Sequence, residues 1–254
     1  RDARKLLGDR QGLYDEYKHL LSHHIEQISR REKTFHGEEV PVHSDLDTNV
    51  LYDPSGKMSA LFDFGSAHQD QRYCEFRNTI VEPLLMQTEE QRNYLLLFLK
   101  AYQYELSPDR KMSRDEIRYV VQVALPAYFL GRLLYYAIMN RNNVMSADKA
   151  RRWLESFACY SGQTDTDGKV DALVDEVLDA RTPAQMLALI NANQLVGEAR
   201  VCADGKKLFE AGKLLRRAQE LMQEEYPARQ DVLKSITDYA DTIRKEIIVN
   251  SMGV

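Results

Sequence analysis

Residues 43–65 read HSDLDTNVLYDPSGKMSALFDFG, and this stretch indicates both the local fold and the chemistry. It opens with His43-Ser-Asp45. Two β-type runs, at 49–52 and 58–62, flank the turn-forming residues Asp53-Pro-Ser-Gly56. Runs of this kind on either side of a turn cluster predict a two-stranded hairpin.

Acidic and amide side chains lie at both ends of the predicted hairpin. Asp45 and Asn49 come before its turn, and Asp63 begins the Asp-Phe-Gly sequence after it. Mg²⁺ takes hard oxygen ligands and usually keeps substrate phosphates and water in its remaining positions. Phosphoryl transfer needs a metal to neutralise the phosphates and a carboxylate to receive or orient the acceptor hydroxyl. The stretch therefore favours a phosphoryl-transfer site with one or two Mg²⁺ ions.

These side chains are also compatible with less specific interpretations. Asp, Asn and Gly are common turn residues, so a hairpin flanked by acids is also compatible with a plain surface loop. His-x-Asp or Asp-Phe-Gly alone is a weak motif, whereas both in this order around a hairpin are specific. His19 and His23 have the spacing of a metal pair, but no third ligand accompanies them, which favours a solvated or partly buried helix face.

The motifs resemble the catalytic and metal-binding loops of the aminoglycoside phosphotransferase/choline kinase group of kinase-like phosphotransferases. Members show a His-x-Asp-Leu loop, an Asn followed by aliphatic residues, and Asp-Phe-Gly or a close variant. The 18 residues from Asp45 to Asp63 agree with that spacing. Tyr73-Cys-Glu75-Phe76 is similar to the family's acidic-aliphatic motif, with Glu75 where Asp is usual.

The resemblance implies a fold and a reaction. The fold would be the helical C-terminal lobe of a kinase-like protein over residues 1–162, with the catalytic and metal loops at 43–76. The reaction would move the ATP γ-phosphoryl group to a hydroxyl-bearing acceptor, most simply a small molecule, with Mg²⁺ and ATP as cofactors.

The resemblance also implies roles for individual residues. Asp45 would be the catalytic base, and His43 would brace the catalytic loop. Asn49 and Asp63 would bind Mg²⁺ and, through it, the nucleotide. The family usually places five steps between the catalytic Asp and the Asn, and here there are four. Either this loop is one residue shorter, or Asp47 takes part of the metal-binding work.

The nucleotide-clamping lobe of such kinases has no counterpart in residues 1–42. That lobe needs a Gly-rich loop and a strand Lys paired with a helix Glu, and the lysines here lie in helical or charged contexts. The sequence also begins with Arg1 rather than Met. We expect either a fragment of a larger phosphotransferase or a degenerate remnant. The competing function is a non-catalytic, pseudokinase-like binding or scaffold protein.

The chain is acidic overall, with 34 Lys plus Arg against 39 Asp plus Glu and a net charge of −5. That balance disfavours nucleic-acid binding, which usually needs a basic face. Between residues 37 and 75, eight acids stand against two bases, giving −6. Such a segment would attract Mg²⁺ and could favour a cationic acceptor, such as an amine-bearing sugar or a choline-like compound. Metal ligands alone would also make the segment acidic.

Cysteine spacing and hydropathy predict the compartment. Cys74, Cys159 and Cys202 are far apart and odd in number, which indicates reduced thiols and a cytoplasmic location. The apolar stretch 119–139 is interrupted by polar residues and Pro126 and has helical spacing. It predicts a buried, Pro-kinked core helix rather than a membrane span.

Helical periodicity dominates after residue 89, so we expect a mainly α protein, α+β overall, because of the short hairpin. Ser113 and Thr182-Pro183 mark helix starts. The predicted helices are 10–33, 89–105, 113–140, 147–160, 168–181, 183–197, 199–225 and 229–249.

The polar stretch 161–168 lacks large apolar side chains and predicts a linker. Residues 163–254 would then be a helical extension or bundle that offers a surface to a protein partner. Within it, 205–227 loosely resembles one tetratricopeptide unit, without a convincing second copy.

Overall fold

The computed structural model of the chain describes residues 11–31, 38–44, 46, 49–54, 57–76, 80–81, 91–139, 147–164 and 166–251. Within this part, the protein is mainly helical and has two short antiparallel strand pairs, which confirms the predicted fold class. The described residues form two compact units. The first contains residues as far as Leu99 together with 106–178, and the second contains 100–105 together with the residues from Asp179 onward.

Two antiparallel strand pairs lie in the first unit. β1 (Glu39–Val42) pairs with a later strand, β4 (His68–Gln71), and β2 (Val50–Tyr52) pairs with β3 (Met58–Leu61). The β2–β3 pair is the hairpin that the turn residues predicted. β4 was not predicted, because the sequence His-Gln-Asp-Gln has no apolar alternation and only its backbone pairing reveals it as a strand.

The helices of the first unit are α1 to α6. Their bounds are Gln11–Arg31, Gln91–Glu105, Arg114–Tyr119, Leu125–Met139, Ala147–Thr164 and Asp167–Leu178. The last residues of α2, from Lys100, belong to the second unit. Short 3-10 turns at Phe64–Ser66 and Arg72–Glu75 follow β3 and β4, and another lies at Pro108–Arg110.

The predicted Pro-kinked core helix is a continuous run with a π-helical turn in it. α3 leads into the π turn Val120–Ala124, which leads into α4. Pro126 has no N–H to donate, and the wider π turn directly before it accommodates the altered hydrogen bonding. Val121 and Phe129 are fully buried, as the helical spacing predicted. No helix in the described part of the chain is long and apolar enough to span a membrane.

The predicted linker at 161–168 differs from the structure, because α5 continues through Ser161 to Thr164 and α6 begins at Asp167. Polar side chains of this stretch form hydrogen bonds with residues of α1 and α5. Ser161 Oγ is 2.6 Å from His24 Nε2 on α1, and Thr164 Oγ1 donates to the carbonyl of Tyr160 at 3.0 Å. Burial of these hydrogen-bonded polar groups makes helix compatible with a sequence that resembles a linker. The whole stretch lies inside the first unit.

A ladder of charged and polar side chains joins the α3–π run to α6. It repeats every four residues, so its members lie along one face of each antiparallel helix. Its pairs are Arg114 with Asp175, Arg118 with Asp171, and Gln122 with Asp167. We refer to these contacts as the α3–α6 ladder.

The second unit is built from α7 (Pro183–Asp204), α8 (Leu208–Glu225) and α9 (Gln230–Ser251). Its core contains small side chains that let helices approach closely, such as Ala192 and Ala211, both 0% exposed. The predicted helix start at Thr182 is confirmed: its side chain forms a capping box with Gln185. The predicted break near residue 198 is wrong.

The break between α7 and α8 comes later, at 205–207. Gly205 caps the end of α7, and Lys206 has a left-handed backbone with φ of 60°. Gly197 lies within α7, where a glycine lowers helix stability without ending the helix.

Candidate functional site

The pairing of β2 with β3 brings Asn49 and Asp63, which are distant in sequence, close together. Val50 lies opposite Leu61, and the N–H of Phe62 donates to the carbonyl of Asn49 at 3.2 Å. The backbone hydrogen bonding of the hairpin therefore extends one residue beyond β2 and β3, to Asn49 and Phe62. Asp63 is the residue that follows Phe62. Two oxygen-bearing side chains that are distant in sequence thus begin and end the same hairpin.

The backbone at Asp63 leaves the strand sharply. Its φ of 58° and ψ of 62° are left-handed, and the 3-10 turn Phe64–Ser66 follows directly. A non-glycine residue in this conformation costs about 1–2 kcal/mol, so the surrounding structure must hold it there. The Asp63 carboxylate is exposed and has no hydrogen bond or ion pair within the described part of the chain. A Cβ added at Gly65 would lie 3.4 Å from Asp63 Oδ1.

His43 connects the two ends of the site. Its side chain is 6% exposed, and its Nε2–H donates to the carbonyl of Phe62 at 2.8 Å. The same ring meets the ring of Phe64 edge-on, with 4.9 Å between centroids. His43 therefore contacts the residues on both sides of Asp63 and positions the Asp-Phe-Gly segment relative to its own loop.

Glu75 holds the loop that begins at His43. Its Oε1 accepts the backbone N–H groups of His43 and Ser44, the latter at 3.0 Å. Ser44 has a left-handed backbone with φ of 67°. One carboxylate oxygen therefore binds two successive N–H groups at a strained residue. The family motif singled out Glu75, but its contact with a loop more than thirty residues earlier was not predicted from the sequence.

The segment that carries Glu75 is anchored by Arg72, which sequence reasoning missed. Arg72 is 6% exposed, and its guanidinium forms a two-point ion pair with the buried Glu116 of α3. It also donates to the carbonyl of Arg110 at 2.5 Å and to Glu38 at 3.3 Å. A single arginine in a polar stretch gives no periodic or motif signal by which it could have been found.

Tyr73 lies between these two anchoring residues. Its ring is 5.4 Å from that of Tyr119. Burial, together with a side-chain hydrogen bond to Tyr119, raises the pKa of Tyr73 well above its usual value. The phenol is therefore neutral across the physiological range, and its ring packs against Tyr119 of α3.

Asp45 and Asp47, the predicted catalytic base and the additional metal ligand, lie outside the described residues. The structure thus brings together His43, Asn49 and Asp63, which are the other predicted site residues. Within the described part, no group of three or more His, Cys, Asp or Glu side chains could hold a metal ion.

The described oxygen donors nevertheless fit Mg²⁺ of the kind that binds with a nucleotide. Mg²⁺ is commonly held by one or two carboxylates while phosphates and water complete its coordination. Asp63 supplies an exposed carboxylate, and Asn49, which is 8% exposed, supplies an amide on the adjoining strand end. This set suits a metal that arrives with phosphates, and it is too small for an all-protein cage.

Apolar side chains around the hairpin are unusually exposed. Leu51, Met58 and Phe64 are 55%, 63% and 58% exposed, and Phe62 is 43% exposed. Exposed apolar residues of this size are typical of surfaces that bind another molecule or segment.

No protein-family model, curated protein or solved structure matches this chain.

Proposed function

We propose that this chain carries the catalytic and metal-binding loops of a phosphotransferase that moves the ATP γ-phosphoryl group to an acceptor hydroxyl. One observation supports this most directly. His43, held by Glu75, contacts both Phe62 and Phe64 and so ties the segment 43–44, which leads to Asp45 in the sequence, to the Asp63 turn. A phosphoryl-transfer site needs its acceptor-orienting and metal-binding carboxylates on loops with a fixed mutual position.

In the proposed reaction, each residue has a limited task. The acceptor oxygen attacks the γ-phosphorus, its proton passes to the Asp45 carboxylate, and the bond to the β-phosphate oxygen breaks to release ADP. Mg²⁺, when bound at Asn49 and Asp63, would neutralise phosphate charge. His43 reacts with nothing; it keeps the carbonyl of Phe62, and hence the Asp63 turn, in place.

The acceptor is proposed from charge. The acidic segment 37–75 favours a cationic acceptor over an anionic one, so we propose an amine-bearing small molecule in a cytoplasmic setting. The exposed apolar side chains of the hairpin, Leu51 and Met58, suit a contact with the nucleotide base or with a nucleotide-clamping segment.

The test measures Mg²⁺-dependent ATP turnover by the chain, expressed with any residues that precede Arg1 in its gene. Asp45→Asn and Asp63→Asn should each lower turnover by a factor of about a hundred or more, because each removes a charge that the transition state requires. Asp53→Asn is the matched control. Its carboxylate accepts from the N–H of Lys57 at 3.0 Å at the far end of the same hairpin, and an amide can do the same.

Each result bears on the proposal. Turnover that is unchanged in either site variant would reject the assignment. Nucleotide binding without turnover in the parent protein would favour the non-catalytic binding or scaffold function instead.

A further inference from the structure

A groove runs between α8 and α9 in the second unit, far along the chain from the hairpin site. Its volume is about 550 Å³, within the range of roughly 300–1,000 Å³ typical of ligand pockets. We refer to it as the α8–α9 groove. Phe209 and Gly212 of α8 and Ile243 and Ile247 of α9 supply its apolar lining.

The apolar part of the groove has room for a large side chain. Gly212 lies in the second turn of α8, and glycine inside a helix lowers its stability by about 1 kcal/mol relative to alanine. A Cβ added there would meet no atom within 4 Å, so the space above Gly212 is open. Phe209 beside it is 69% exposed, and Ile243 at the base is 2% exposed. An aromatic ring next to an open slot is a common anchor point in binding sites.

The polar lining of the groove is basic. Lys213, Arg216, Arg217 and Arg244 stand against Glu220, giving +3 in a chain whose net charge is −5. Within the described residues, Arg216 and Arg217 have no ion pair or hydrogen bond. Unpaired arginines beside an apolar slot form a surface that complements negative charge.

The other two bases have weak or local partners. Lys213 Nζ lies 4.8 Å from the centroid of the Phe209 ring, and Arg244 pairs with Asp241 one turn earlier at 2.8 Å. Exposed pairs within one helix contribute only a few tenths of a kcal/mol, so an incoming carboxylate competes with them easily.

We propose that the α8–α9 groove binds a short acidic peptide segment of a partner protein, with one bulky apolar side chain entering the slot above Gly212. The slot is complementary to a bulky apolar side chain, and the surrounding bases are complementary to acidic side chains. A ligand that fits the groove should therefore carry both. A nucleic acid would satisfy only the charge, and four bases are too few for the phosphate contacts that such binding usually uses. The proposal is independent of phosphoryl transfer.

The test uses three sets of fluorescein-labelled peptides, in which one Leu, Phe or Trp is flanked by Glu, by Lys or by Ser. Binding to the full chain is followed by fluorescence anisotropy. The Glu set should bind at least tenfold more tightly than the other two, and its affinity should fall as salt rises.

Two variants locate the site. Gly212→Leu should weaken binding of the Glu set at least tenfold by filling the slot. The double variant Arg216→Glu, Arg217→Glu should weaken it to a similar extent and flatten the salt dependence. Gly197→Leu is the matched control: Gly197 is an exposed helical glycine of α7 with nothing within 4 Å of an added Cβ. That control should bind as the parent does.

Helix stability supports the use of these variants, since leucine is a better helix former than glycine at either position. A melting temperature of Gly212→Leu at or above that of the parent would show that any loss of binding comes from the groove and not from unfolding. Three results would overturn the proposal: no preference for the Glu set, unchanged binding by Gly212→Leu, or tighter binding of single-stranded RNA or anionic vesicles than of any peptide.

Discussion

The carboxylate of Glu75 accepts the backbone N–H of Ser44 at 3.0 Å, and Ser44 has a φ of 67°. A strained residue next to the candidate catalytic Asp45 is thus held by a side chain from a separate segment. Strain of this kind persists only where the surroundings over-determine the conformation. Glu75 is therefore the residue whose loss should release the loop.

Glu75→Ala should lower the free energy of unfolding by about 2–4 kcal/mol. It removes a charged acceptor from two N–H groups, those of His43 and Ser44, and leaves them unsatisfied in a largely buried place. Glu75→Gln, which keeps an acceptor oxygen without the charge, should lose about half as much. Urea denaturation measures both, and equal losses in the two variants would contradict the importance of the charge.

Gly65→Ala should lower ATP turnover about tenfold, equivalent to about 1.4 kcal/mol in the barrier, if the proposed function holds. The added Cβ would lie 3.4 Å from Asp63 Oδ1, in van der Waals contact, and would restrict the positions open to a carboxylate proposed to bind Mg²⁺. Gly162→Ala in α5, where nothing lies within 4 Å, is the control and should leave turnover unchanged. Full turnover by the Gly65→Ala protein would contradict the idea that turnover depends on a fixed position of the Asp63 carboxylate.

Arg72→Met should destabilise the first unit by about 3–5 kcal/mol. It leaves Glu116, which is 5% exposed, as a buried charge without its partner. The double variant Arg72→Met, Glu116→Leu should recover most of that loss, because no buried charge remains. Thermal unfolding of the single and double variants tests this, and no recovery would mean that the contacts of Arg72 with Arg110 and Glu38 dominate.

Acidification should destabilise the protein through His24. Burial, with a smaller effect of His23, lowers the pKa of His24 from 6.5 to about 4. The unfolded chain therefore binds a proton at higher pH than the folded chain does. The resulting stability is present above about pH 6.5 and is lost as the pH falls toward 4, by about 3 kcal/mol.

Unfolding free energies between pH 7 and 4 test the effect of His24. His24→Gln should show a shallower decline with pH than the parent, whatever its stability at pH 7. His19→Gln, an exposed histidine on the same helix, should decline as the parent does. Identical slopes for His24→Gln and the parent would mean that the pKa of His24 is the same in the folded and the unfolded chain.

Local sequence patterns predicted the local structure well. The turn residues from Asp53 to Gly56 predicted the hairpin, and Ser113 predicted a helix start whose hydroxyl does accept the N–H of Glu116. Contacts between distant residues could not be predicted in this way. Ser161 lies in a helix, where its hydroxyl meets His24 from 137 residues earlier, and no pattern near Ser161 contains that information.

The same limit applies to the candidate site. The motifs identified His43, Asn49 and Asp63, and the hairpin spacing indicated that the last two lie close together. The strain at Ser44 and the buried Arg72 had no sequence signature, because both depend on segments that meet only in the folded chain.

The α3–α6 ladder has a consequence for how firmly the two helices are aligned. Acids recur every four residues along α6, at Asp167, Asp171 and Asp175, and the buried valines Val170 and Val174 share that interval. A slide of α6 by one helical turn, about 5.4 Å, would therefore re-form most of its pairs with new partners.

One contact outside the ladder distinguishes the observed alignment from its neighbours. Arg92 of α2 pairs with Glu176 at 2.5 Å, and a one-turn slide in either direction would bring Ala172 or Ala180 to that place. The ladder fixes the spacing of the helices in steps of a turn, and the pair of Arg92 with Glu176 adds a preference for the observed step.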